Sequence, residues 1–170
     1  AYAKPEDIKQ YIGEAYFFRA YSYFDLLQLY GDVIITKKPL DITDPEMKVK
    51  RNDRSEVVDL IIDDLNHAVE NLPAFKELTT EEEGRISKEG AQAFLSRVAL
   101  YEGTWQKSRN GNQNTQRSAN LLDIAAKAAR TVIDAKYGYT FRLFGTDSET
   151  KILGDSAQKY MFILENEKSN

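Results

Sequence analysis

Apolar residues recur at intervals of three and four in four separate stretches of the chain, the spacing that puts side chains on one face of an α-helix. The first stretch begins near Pro5, whose missing amide donor is harmless at an early helical position. Ile8, Tyr11, Ile12, Ala15, Tyr23, Leu26 and Tyr30 follow at helical intervals, while Phe17, Tyr21, Phe24 and Leu27 add apolar material outside that stripe. A helix apolar on several sides needs several neighbours, so the pattern predicts a helix near 5–30 packed against more than one other. Gly31 supplies its stop. Val33, Ile34 and Ile35 then read as extended chain laid along the domain, not as continued helix.

From Pro39 to Asp53, two prolines and scattered charges mark a long connection with a short helix around Asp44 to Met47. Asp53, with Glu56 three residues on, has the spacing of a capping box. Val57, Ile61, Leu65, Ala68 and Leu72 draw a face behind it, closed by Asn71 and Pro73, which predicts a helix near 54–72. The run Glu81 to Glu83 is a solvated connection. Ser87 caps a third helix near 87–106, with Ile86 and Ala91 at staple positions and Phe94, Leu95, Val98, Tyr101 and Trp105 as its stripe. Gly90 and Gly103 lower its intrinsic helicity and either permit close packing or fray an end. The polar stretch Lys107 to Ser118 separates it from a fourth helix near 119–135, whose face of Leu121, Ala125, Ala128, Ala129, Val132 and Ile133 is unusually small. Small side chains let a neighbouring helix approach closely. The helix should end before the turn at Tyr137, Gly138 and Tyr139.

One-sided stripes need opposing surfaces, so antiparallel helix pairs follow, with a compact bundle as the alternative arrangement. The fold class is all-α, and residues 1–170 read as a single helical domain. Residue identities do not repeat cleanly near an interval of 34, so repetition itself does not establish tetratricopeptide-like units.

Composition narrows the function. Basic residues number 23 and acidic ones 27, a net charge of −4 that lacks the basic excess of a phosphate-backbone footprint, so nucleic acid is not an expected partner. Cysteine is absent, which removes disulfides, thiol nucleophiles and thiolate metal sites. His67 is the single histidine, Asp63 and Asp64 are adjacent rather than face partners, and no calcium-loop spacing occurs, so neither metal nor other cofactor is expected. Carboxylates are plentiful, yet no Gly-x-Ser-x-Gly elbow or phosphate-cradling loop is present. The chain does not read as an enzyme. Its 19 kDa hold ten tyrosines, eight phenylalanines and one tryptophan, and eight of these aromatics crowd into Tyr11 to Tyr30.

That crowded segment carries a resemblance. Gly13, Glu14 and Ala15, then Phe18, Arg19, Ala20, Tyr21, Tyr23, Phe24, Asp25, Leu26, Leu29, Tyr30, Gly31, Asp32 and Val33, resemble the SusD/RagB family of outer-membrane nutrient-binding lipoproteins of Bacteroidetes. The likeness continues through Arg54, Ser55 and Glu56, through Asp63, Asp64 and Leu65, Leu72 and Pro73, and through Gly84, Arg85, Ile86, Ser87 and Lys88. It runs on along Ala91, Ala93, Leu95, Arg97, Ala99, Leu100 and Tyr101, then Ala125, Ala129, Val132, Ile133 and Phe162. One departure is Ile34, where many relatives have proline after the Gly-Asp-Val turn. Family members are considerably longer, so the chain resembles an N-terminal-to-central fragment.

The resemblance implies a tetratricopeptide-like helical scaffold that captures oligosaccharides or related nutrients without breaking a bond. It also implies delivery to a SusC-like TonB-dependent outer-membrane transporter, and a surface-exposed, lipid-anchored location for the full-length protein. Aromatic faces cover the apolar faces of sugar rings while amides and charges meet hydroxyls. Trp105 with Arg109, Asn110 and Asn112 is therefore the candidate ligand-binding group, against the reading in which Trp105 packs and the amides are solvated. Structural roles fall to Arg19, Asp25, Gly31, Asp32, Pro73 and Arg85, with Arg19 expected to reach a neighbouring helix or backbone carbonyls. The alternative function is a helical protein-interaction module that binds no glycan.

Overall fold

The computed structural model of the chain describes residues 5–82, 84–109 and 115–142. Four long helices make the architecture: α1 (Pro5–Tyr30), α2 (Arg54–Asn71), α3 (Lys88–Arg109) and α4 (Thr115–Ile133). Short 3-10 turns at Pro45–Lys48, Phe75–Glu77 and Thr80–Glu82 punctuate the connections. The chain divides into two compact units, Ala1–Tyr139 and Thr140–Asn170. Of the second, residues 140–142 are described and carry no regular secondary structure.

Local chemistry fixes the helix ends. Gly31 stops α1 with φ +71, and its amide donates to the Leu27 carbonyl at 3.0 Å. A residue with a Cβ resists that left-handed conformation. Glu56 reaches back to accept the Asp53 amide at 3.2 Å, closing the start of α2. Ser87 Oγ accepts the Gly90 amide at 3.3 Å and caps α3. Between α1 and α2, Val33 pairs with Asn52 in an antiparallel bridge. Tyr23 Oη accepts the Thr36 amide at 2.7 Å, which pins this extended segment along α1.

Both helix pairs are antiparallel, as close approaches at their ends show. A Cβ on Gly13, early in α1, would sit 2.9 Å from Leu72 Cγ at the end of α2. At the other end of that pair, Arg54 Nη1 donates to the Leu27 carbonyl. A Cβ on Gly103, late in α3, would lie 3.0 Å from Leu122 in the first half of α4, and Ser118 Oγ, near the start of α4, donates to the Gly103 carbonyl at 2.8 Å. Gln92, early in α3, donates to Tyr137 Oη just beyond α4. Glycine at 103 and alanines at 125 and 128 thus let α3 and α4 come close, and α4 begins ahead of its apolar stripe because the buried Ser118 belongs to that contact.

The core lies where α2 meets α1 and α3. Val57, Val58, Ile61, Leu65 and Ala68 are completely buried there, with Leu72 nearly so. An aromatic cluster seals α1 to α3: Phe94 packs on Phe17, Tyr21 and Phe24, and Tyr101 meets Phe24 edge-on.

On α1 the face differs from the expected stripe. Phe17, Ala20, Tyr23, Phe24 and Leu27 are buried, and of the stripe only Tyr23 is among them. Ile8, Tyr11, Ile12, Leu26 and Tyr30 face solvent together with Phe18 and Leu29. Because α1 is apolar nearly all round, periodicity alone had no polar side to point away from the core.

Candidate functional site

Three helix ends converge at one corner. The antiparallel α1/α2 pairing sets the end of α1 beside the start of α2, and the last turns of α3 pass alongside both. A depression of about 460 Å³ opens there, lined by Tyr30, Gly31, Asp32, Arg51, Asp53, Arg54, Ser55, Trp105 and Gln106. It joins an indole, a phenol, carboxylates, guanidinium groups, an amide and a hydroxyl, the mixture of flat apolar faces and hydrogen-bonding groups that suits a sugar.

Arg54 organises the corner. Its backbone amide donates to Asp32 Oδ1 at 2.9 Å, so the side chain after Gly31 closes the first turn of α2. Its Nε donates to Glu102 Oε2 at 2.9 Å and to Oε1 at 3.2 Å, and its Nη1 to the Leu27 carbonyl at 3.3 Å. Nη2 also lies 2.8 Å from Glu102 Oε2, off the line of a hydrogen bond. Glu102 is completely buried and takes a further bond from Gln106 Nε2 at 2.6 Å. Above this network the guanidinium carbon sits 4.0 Å from the centre of the Trp105 ring, a close cation–π stack.

The residues expected from the sequence are distributed as follows. Trp105 is half-buried and lines the depression, with Gly31 and Asp32 beside it. Arg109 is the exposed last residue of α3 and does not line it. Asn110 and Asn112 lie outside the described residues. Arg19 binds Asp64 on α2 through both arms of its fork, Nε to Oδ2 at 2.7 Å, and Asp64 is completely buried. That hydrogen bond holds the Arg19 guanidinium above its ordinary pKa. Arg85 forks onto Glu14 at 2.7 and 2.8 Å and covers the Tyr11 ring, and the Glu14 carboxylate likewise raises its pKa. The Pro73 carbonyl accepts the Lys88 amide at 2.9 Å, tying the α2–α3 connection to the start of α3. Asp25 is exposed on α1.

Tyr30, Arg51, Asp53, Arg54, Ser55 and Gln106, with Glu102 behind them, are the residues of this corner that sequence reasoning assigned no role in a site. Their signal was indirect: Gly31 and the Asp53 cap mark helix ends, and an antiparallel pair brings such ends together. A larger groove of about 640 Å³ between α2 and α4 is walled by Asp59, Asp63, Asn66, Gln116, Arg117 and Asn120 over an aliphatic floor, with no aromatic ring. Among the described residues no group of three or more histidine, aspartate or glutamate side chains could hold a metal ion, and no helix is long and apolar enough to cross a membrane.

A model of a SusD-like family, described as starch-binding and associating with the outer membrane, matches residues 1–100. The chain belongs to the SusD-like family. SusD-like protein P38 of Formosa agariphila is 37% identical over 93 residues, covering 54% of this chain and 17% of its own length. A SusD-like protein of known structure from Bacteroides fragilis superposes with a TM-score of 0.64 at 29% identity, over 82% of this chain and 23% of that one. A structure solved with a xylogluco-oligosaccharide gives a TM-score of 0.64 at 27% identity, over 84% of this chain and 26% of that one. The chain therefore spans about a sixth to a quarter of the length of these SusD-like and related proteins. Its antiparallel helix pairs give the all-α fold expected of the family.

Proposed function

We propose that this SusD-like chain takes part in noncatalytic capture of oligosaccharides at the bacterial outer membrane, with the corner around Trp105 as a glycan-contacting subsite. The observation that carries the reading is the Trp105 ring, half-buried and held at the edge of a polar depression that also contains Tyr30. Arg54 takes one face of the indole, and among the described residues Trp105 makes no other ring or cation contact. A pyranose stacked on an aromatic face while carboxylates and guanidinium groups meet its hydroxyls is held by noncovalent contacts. Arg109, Asn110 and Asn112 follow Trp105 in the chain and stay candidate ligand-binding residues in this reading. The starch-binding description of the family and the oligosaccharide in the related structure support the substrate class. In the full-length protein the captured glycan passes to a SusC-like TonB-dependent transporter, and a lipid anchor keeps the protein at the cell surface.

Trp105 is the chain's sole tryptophan, so its fluorescence reports on this subsite alone. Titration with maltoheptaose and with a xylogluco-oligosaccharide should change Trp105 emission and give a calorimetric isotherm. Trp105→Ala should weaken binding by about tenfold, as expected for loss of one stacking face. Wild-type protein that binds either sugar without any change in emission would move the subsite elsewhere.

A further inference from the structure

Trp105 stands in the last turns of α3, half-buried one turn beyond Tyr101, and the Arg54 guanidinium carbon lies 4.0 Å from the centre of the Trp105 ring and 5.9 Å from that of Tyr101. An unsupported indole samples several staggered χ1 wells and two broad χ2 orientations, and a ligand must select one of them. The guanidinium that this ring touches is itself held at two of its nitrogens. Arg54 is fixed by its bonds to Glu102 and Leu27, and Glu102 is fixed in turn by complete burial and by Gln106. The planar fork satisfies the carboxylate with its edge and leaves its face for stacking, a division of labour that an ammonium lacks.

We infer that Arg54 is the positioning residue of the Trp105 subsite, holding one face of the indole so that the other is presented to a sugar ring. This role rests on the glycan-binding reading above and deepens it. It also gives the burial of Glu102 a purpose beyond packing. A carboxylate in that place costs desolvation, which an aliphatic residue would avoid, whereas an aliphatic residue would leave Arg54 free to drift from the ring.

Two variants separate positioning from folding. Arg54→Lys keeps a cation for Glu102 and loses the planar stack. The double variant Arg54→Met with Glu102→Leu removes the buried ion pair as a unit, leaving no unpaired charge behind, and it serves if the lysine variant melts early. Each is compared with wild type by thermal melting, by acrylamide quenching of Trp105 and by calorimetry with maltoheptaose and the xylogluco-oligosaccharide. The expected result is a folded protein whose Trp105 is quenched more readily and whose affinity falls about three- to thirtyfold, the range for losing a cation–π stack and a fixed rotamer. A folded variant with wild-type quenching and wild-type affinity would overturn the positioning role while leaving the subsite standing. Wild-type protein that binds neither sugar would overturn both.

Discussion

Replacing Arg19 by alanine tests whether the charges on α1 hold the fold together. Asp64 is completely buried, and the hydrogen bonds to its carboxylate come from Arg19, which reaches it across 45 positions of sequence. Removing the guanidinium strands a buried anion, for which the cost is about 3–5 kcal/mol. The Arg19 side chain is one-third exposed, so water can enter the vacated space, and the lower end, about 3 kcal/mol, is the expected value. Against a total stability of about 5–15 kcal/mol, that is a large share. Urea unfolding followed by circular dichroism should show the midpoint falling by about 1.5 M, taking a slope of about 2 kcal/mol per molar. The double replacement Arg19→Met with Asp64→Leu should recover most of this loss, because no unpaired charge remains. A single variant that loses under about 1 kcal/mol would refute the reasoning, since Asp64 would then be solvated or otherwise paired.

Gly13→Ala should destabilise despite the better helix propensity of alanine, worth about 1 kcal/mol. The new methyl would meet the Leu72 side chain at 2.9 Å and its backbone nitrogen at 3.0 Å, and the expected net loss of about 1–2 kcal/mol is measurable in the same urea assay. Glu82 accepts the Thr79 amide and hydroxyl at 3.1 and 3.0 Å, bonds that hold its pKa below the ordinary carboxylate value. A lowered folded-state pKa gives stabilisation that is present above the unfolded-state value and lost as pH falls through the folded one. Glu82→Gln should therefore reduce the difference in melting temperature between pH 6 and pH 3. Phe18→Ser with Leu29→Gln, on the outward face of α1, should leave the melting temperature within a few degrees of wild type and lower binding of a hydrophobic dye.

Much of the fold was legible because its signals are local. Asp53 with Glu56, Ser87 with Gly90, and Gly31 each specify a helix end within four residues, and the Val57-to-Leu72 stripe lies on a helix whose other side is polar. Helix α1 offered no such contrast, so its inward face could be found only from what packs on it. The Arg54–Glu102 and Arg85–Glu14 pairs were hidden for another reason. Their partners stand 48 and 71 positions apart, and a lone charge on a helix reads as solvated until the antiparallel pairing brings its counterpart near. Trp105 was visible as the chain's single tryptophan, but the guanidinium against it was not.

The two-sided α1 also shapes how the chain responds to temperature. Tyr11, Phe18, Leu26, Leu29 and Tyr30, with Ile8 and Ile12, remain 38% to 74% exposed in the folded state. Judged by residue size this is on the order of 700 Å² of mainly apolar surface already wet before unfolding. Surface that is wet in both states adds nothing to the heat capacity of unfolding, which is smaller by about 0.3 kcal/mol/K than if the face were covered. The stability curve of the 170-residue chain is flatter for it, with cold and heat denaturation set further apart for a given maximum, and covering that face in a larger assembly would sharpen the curve as it raised it.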